Sequence, residues 1–156
     1  MEKIRQYLFD VQLTWLQDTK GILSSYGADG TLNIATPHVF GGEMANEWSA
    51  EHMFLGAVTG CYLSTFLCYA DKKKLSISNF ECETVGEVQL TDGKLKFTAI
   101  NVYPVIKIKK EADKGITKEV LELTKINCLV SNALKVNVYY HSLVTFEDPQ
   151  AVQSLL

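Results

Sequence analysis

The chain contains no CxxC pair, no glycine-rich phosphate motif, no internal repeat, no flexible linker and a single arginine, Arg5. Each absence narrows the range of functions. Without CxxC, the four cysteines Cys61, Cys68, Cys82 and Cys128 have poor zinc spacing, and no metal site is expected of them. Strands that arrive in hairpins, with no phosphate-cradling loop, argue against a doubly wound nucleotide-binding sheet. A net charge of -3, from 15 Lys plus Arg against 18 Asp plus Glu, supplies no general attraction to nucleic acid. The opening MEKIRQYLFDVQLTW lacks the charged start, apolar core and small-residue cleavage site of a secretion signal, so a cytoplasmic location is expected. In that reducing setting the cysteines do not read as a disulfide framework, and a close pair among them would indicate redox chemistry.

What is present is a mixed folding pattern. At 156 residues, with 47% hydrophobic and 21% charged, the chain suits one compact domain, 1–156. Tyr7 to Trp15 alternates as a strand, DTKG turns, Ile22 to Tyr26 follows, and GADGTLNIATP adds a turn and a short strand that stops near Pro37. In HVFGGEMANEW, two adjacent glycines mark a connection whose backbone can pass close to another element. The longest apolar run, Met53 to Ala70, is interrupted by Thr59, Ser64 and Thr65 and reads as a buried central helix rather than a membrane span. Ser49 is its expected cap, and Glu51 and His52 lie in its first turn. Phe54, Ala57, Val58, Cys61, Thr65 and Cys68 recur at helical spacing as its expected buried face.

Ile77 to Leu90 and Leu95 to Lys109 flank TDGK, which predicts a hairpin within one antiparallel sheet. A second helix is expected from Asp113 or Thr117, anchored by Val120, Leu121 and Leu123. LVSNAL reads as a short helix or a break, with Ser131 and Asn132 able to bond local backbone groups. KVNVYYHSLVTF closes the pattern as one more strand, with a short tail from Pro149. The order predicts an α+β fold.

Glu51 and Cys61 stand about 15 Å apart along one helix, too far to touch, so another element must complete any site. The second helix, which ends at Cys128, is the candidate. Together, GGEMANEWSAEHMFLGAVTGC and INCLVSNAL resemble the OsmC/Ohr family, and more closely its broad OsmC-like branch. The resemblance runs from the glycine pair through Val138, and the two cysteines, 67 positions apart, are its most specific feature.

That resemblance implies antiparallel β-sheets around two long helices in an intertwined homodimer. It assigns Cys61 as the peroxidatic cysteine, Cys128 as the resolving cysteine and Glu51 as the glutamate that opens the central helix. The implied activity is thiol-dependent reduction of organic hydroperoxides, and of hydrogen peroxide. It needs no bound cofactor and takes an external thiol or dithiol as reductant. Met44, Trp48, Met53, Phe54 and Tyr62 are the candidate lining for an apolar substrate. The peroxidases resembled here also use an arginine, held by the glutamate, to lower the thiolate pKa. Arg5 lies far ahead of the expected region, and Lys20 and His38 lack the planar paired donors of a guanidinium. Ala50 stands where proline is common in the family. The same resemblance admits a noncatalytic dimer that binds an apolar ligand or senses redox state. His38, His52, His141, Cys68 and Cys82 are expected to be structural, and neither nucleic acid nor membrane is an expected partner.

Overall fold

The computed structural model describes residues 5–43 and 46–146. The chain divides into two compact units, Met1–Phe54 and Leu55–Leu156.

The first unit is an antiparallel meander of β1 (Gln12–Gln17), β2 (Lys20–Ser25) and β3 (Ala28–Ala35). Asp18, at φ 46, makes the tight turn between β1 and β2, a conformation that Asp tolerates. Leu13, Leu23 and Leu32 lie opposite one another across the three strands. Every residue of β1 is exposed. A single 3-10 turn, His38–Phe40, then leads into the glycine pair. Gly41 adopts φ 85, and a Cβ on Gly42 would overlap the Thr36 carbonyl, so the close backbone approach expected from HVFGG is present. Gly42→Ala is expected to destabilise the protein by at least about 2 kcal/mol, because the obstruction is backbone rather than a movable side chain. Urea denaturation of the two proteins checks this. Trp48 runs beside Ile34 in a parallel bridge, and its carbonyl accepts from Ala35 N–H at 2.8 Å, which fixes the entry to the central helix α1 (Ala50–Lys72).

The second unit contains most of α1 and a sheet of β4 (Ile77–Thr91), β5 (Lys94–Ile108), β6 (Val138–Tyr140) and β7 (Leu143–Phe146). The β4–β5 hairpin turns at Asp92 (φ 53) and Gly93 (φ 70), as the DG pair requires. On β5, Ile100, Val102, Pro104, Ile106 and Ile108 alternate as buried positions. After β5 come a 3-10 turn, Glu111–Asp113, then α2 (Lys114–Asn127) and α3 (Leu129–Asn132).

Two expectations about this unit are corrected. The sheet is mixed rather than antiparallel, because β6 and β7 pair in parallel with β5. A helical crossover returns the chain in its original direction, and α2 supplies that crossover. The final strand is also two strands. Their gap falls opposite Tyr103 and Pro104, and Pro104 has no N–H to donate to a ladder. The tail from Pro149 lies outside the described residues.

The buried face of α1 also differs from the expected one. Val58, Tyr62, Phe66 and Ala70 are buried, whereas Ala57 and Cys68 are exposed and Cys61 and Thr65 are half-buried. The helix is apolar on nearly every side, so periodicity alone could not choose a face. Aromatic volume chooses it instead. Phe66 packs on Phe80 with ring centroids 5.0 Å apart, Tyr62 stacks on Tyr140 at 5.2 Å, and Thr59 donates to Thr84 at 2.8 Å. Tyr62 is therefore core, not substrate lining. By length and composition α1 would also suffice to cross a membrane, and little of it is buried within one chain.

Candidate thiol site

Cys61 sits on α1, and Cys128 sits at the break between α2 and α3. Cys128 is extended, with φ -67 and ψ 107, so the helical chain stops for one residue and restarts at Leu129. The break is locally satisfied. Asn127 Nδ2 donates to the Leu123 carbonyl at 2.8 Å and Asn132 Nδ2 to the Ile126 carbonyl at 2.7 Å, two acceptors that the end of α2 would otherwise leave open. Restarting the chain at this point turns fresh backbone donors toward Cys61, and Val130 N–H donates to Cys61 Sγ at 3.4 Å.

Burial opposes ionisation of Cys61. Hydrogen bonds from Val130 N–H, the Cys128 thiol, the Thr65 hydroxyl and Leu129 N–H outweigh it and hold the Cys61 thiol below its ordinary value. Cys128 moves the other way. Burial pushes its thiol up and the Cys61 charge adds to the rise, against hydrogen bonds from Ser131. The two shifts run in opposite directions, so the surroundings favour the thiolate at Cys61 and the thiol at Cys128. This arrangement joins two of the three sequence-predicted site residues.

Glu51, the third, belongs to the first unit. It lines a cavity of about 160 Å³ with Thr19, Ile34, Thr36, Pro37 and Phe40. Its Oε2 is buried and has no hydrogen-bond partner among the described residues. Lys20 is engaged elsewhere in that unit, 2.7 Å from Glu47 Oε1. His38 is exposed in the 3-10 turn, and Arg5 is exposed in the segment before β1. His52 acts at the helix start as expected: its Nδ1 lies 3.0 Å from Ser49 Oγ and accepts from Ser49 N–H at 3.2 Å. His141 stacks on Tyr103 at 4.7 Å and bonds Asn101. Met53 lines an apolar cavity of about 290 Å³ with Val11, Leu23 and Leu32, whereas Trp48 is largely exposed. Met44 lies outside the described residues. Cys68 is exposed, and Cys82 is half-buried with its thiol pushed up by burial. Among the described residues no group of three His, Cys, Asp or Glu side chains is placed to hold a metal ion.

Sequence reasoning missed the donors at Cys61. Backbone amides carry no residue-type signature, and the spacing of Thr65 marks it only as part of a buried helix face. Tyr140, whose ring stacks on Tyr62 and whose hydroxyl lies beside Ser131, was also missed.

Comparison with known proteins places this geometry in context. A family model described as OsmC-like protein matches residues 41–140. The uncharacterized protein YmaD of Bacillus subtilis (strain 168) is 25% identical over 91 residues, 56% of this chain and 61% of that protein, so the match spans about three fifths of that relative. An OsmC-like protein of unknown function from Vibrio cholerae has a similar structure, with TM-score 0.76 at 17% identity over 88% of this chain and 100% of that one. An organic hydroperoxide resistance protein OsmC from Legionella pneumophila superimposes with TM-score 0.68 at 19% identity, over 91% of this chain and 99% of that one.

Proposed function

The chain belongs to the OsmC-like protein family, and from that premise we propose that it is a thiol-dependent peroxidase of organic hydroperoxides, built as a single OsmC-like domain. The observation that carries the reading is the pairing of Cys61 and Cys128 under the Val130 amide, with ionisation directed to Cys61. A reactive thiol needs an electropositive setting, and here backbone amides and neutral hydrogen-bond donors provide one without a guanidinium.

The chemistry follows from that charge arrangement. The Cys61 thiolate attacks the distal peroxide oxygen; a sulfur–oxygen bond forms, the oxygen–oxygen bond breaks, and the alkoxide leaves as alcohol after taking a proton. Cys128 then attacks the sulfenic acid, forming the disulfide and releasing water. An external thiol or dithiol restores both thiols by exchange. Hydrogen peroxide would follow the same steps with water as the first product.

Glu51 is assigned a supporting role. A buried carboxylate oxygen without a partner among the described residues lowers stability, so a glutamate at this position fits function better than packing. Glu51→Ala is expected to leave stability unchanged or raise it by about 1 kcal/mol. Turnover should fall about tenfold through lost positioning. Parallel urea denaturation and stopped-flow assays read the two effects separately.

The partner we assign is a second copy of the chain. Gly56, Gly60, Leu63 and Leu67 share an exposed side of α1, and Leu13, Trp15 and Leu16 are exposed on β1, an amount of open apolar surface that a lone soluble chain rarely keeps. Coverage by a second copy, rather than lipid, agrees with the proposed cytoplasmic location. A noncatalytic ligand-binding or redox-sensing dimer is the second reading, favoured by the apolar cavity around Met53 and by the exposure of Arg5, the one arginine of the sequence.

The deciding experiment is stopped-flow oxidation of the reduced protein by cumene hydroperoxide and hydrogen peroxide, followed by mass mapping of the cysteines. Fast oxidation ending in a Cys61–Cys128 disulfide is the expected result. Oxidation at the rate of a free thiol overturns it and leaves the noncatalytic dimer.

A further inference from the structure

Ser131 sits three residues past Cys128, on the single turn of α3, and its side chain folds back over that cysteine. The Ser131 hydroxyl donates to Cys128 Sγ at 3.1 Å. A serine in a helical turn commonly bonds a backbone carbonyl three or four residues back. Here it addresses sulfur, while Asn132 takes the backbone carbonyl of Ile126.

Two further contacts extend the arrangement. The Tyr140 hydroxyl, on β6, lies beside Ser131, and the Tyr140 ring stacks on buried Tyr62 at 5.2 Å and 24°. Tyr62 follows Cys61 directly on α1. A serine hydroxyl has one hydrogen and two acceptor sites, so it can accept from Tyr140 while donating to Cys128. The Ser131 hydrogen goes to Cys128 and the Cys128 proton faces the Cys61 thiolate, which leaves the Ser131 oxygen open as an acceptor for Tyr140.

We propose that Ser131, held by Tyr140, is a positioning residue for the resolving thiol, aiming Cys128 at Cys61 and stabilising negative charge on the Cys128 sulfur as it attacks. The inference rests on the peroxidase reading of the pair and adds to it the group that controls its second step. In that step the Cys128 sulfur–hydrogen bond breaks and the Cys61–Cys128 bond forms. The sulfenic hydroxyl leaves Cys61 and departs as water with the Cys128 proton. Ser131 keeps its own hydrogen throughout, and its bond to sulfur strengthens as charge develops there. Among the described residues, the titratable groups facing Cys128 from neighbouring elements are Cys61 on α1 and Tyr140 on β6.

The test compares wild type, Ser131→Ala, Ser131→Thr and Tyr140→Phe in single turnover with one equivalent of cumene hydroperoxide. Dimedone trapping reads sulfenic acid, and mass mapping reads the disulfide. In Ser131→Ala, sulfenic acid formation should stay within about threefold of wild type while disulfide closure slows about tenfold or more, a difference typical of losing a charge-assisted bond. The closure pH profile should move up by about one unit. Ser131→Thr keeps the hydroxyl and should recover most of the closure rate; Tyr140→Phe should fall between.

A second arm replaces peroxide with diamide. Cys61 adds to diamide, and Cys128 displaces the adduct to give the same disulfide and a hydrazine, with no sulfenic acid involved. Slow closure of Ser131→Ala in this arm supports the role of Ser131 even if peroxide consumption proves absent, which would fail the peroxidase reading alone. Closure at the wild-type rate and pH profile in both arms overturns the proposal. Equal losses in Ser131→Ala and Ser131→Thr also overturn it, by showing that Ser131 acts through packing.

Discussion

Cys61→Ser is expected to slow peroxide consumption by at least about a thousandfold, equivalent to about 4 kcal/mol of barrier. A serine hydroxyl at this position stays protonated and is a poor nucleophile toward peroxide, so the loss removes the first covalent step. Cys128→Ser should behave differently. The first turnover survives, sulfenic acid persists at Cys61, and multiple turnover with a dithiol falls. The wild-type rate of the first step should rise with pH through the Cys61 ionisation and then level off. Because hydrogen bonds hold that thiol below its ordinary value, the plateau should begin below the free-thiol midpoint near pH ~8.5. A Cys61→Ser protein that consumes peroxide at the wild-type rate would remove Cys61 from the reaction. A rate still climbing above the free-thiol midpoint would show that the Val130 and Leu129 amides do not lower the thiol.

The separation of these steps depends on features that were unequally legible in the sequence. The thiol pair could be named because two cysteines in a recognisable setting mark a site by residue type. Their activation could not be, since Val130 and Leu129 contribute N–H groups that any non-proline residue carries. The DG turn of the β4–β5 hairpin was legible because positive φ at both turn positions demands those residues. The buried side of α1 was not, because alanine, glycine, leucine and aromatic residues surround the whole helix. Tyr62 and Phe66 lie on the core side because Phe80 and Tyr140, distant in sequence, complete their packing. The parallel pairing of β6 followed from a β–α–β order already visible in the sequence. Reading every later strand as part of a hairpin sheet obscured it. The split between β6 and β7 had a signal too, Pro104, whose missing donor falls at the gap.

Leu63→Glu with Leu67→Glu is expected to weaken self-association by at least about a thousandfold, or about 4 kcal/mol. The two leucines lie one turn apart on α1, 36% and 46% exposed, beside Gly56, Gly60 and Ser64. Small residues on that side let a second helix come close, and leucines supply apolar area at the contact. Burying one leucine contributes about 1.5–3 kcal/mol, and in a two-fold dimer each substitution acts twice. Four introduced carboxylates would also face one another across the axis. The opposite side of α1, with Val58, Tyr62, Phe66 and Ala70, is unchanged, so the second unit should keep its core. Sedimentation across a concentration series reads the association, and circular dichroism checks the fold. Cys61, Cys128 and the Val130 amide all come from one chain, so diamide should still close the disulfide in the monomeric variant. A variant as dimeric as wild type would move the interface off this face, and a folded variant unable to close the disulfide would show that the second copy holds the thiol pair in place.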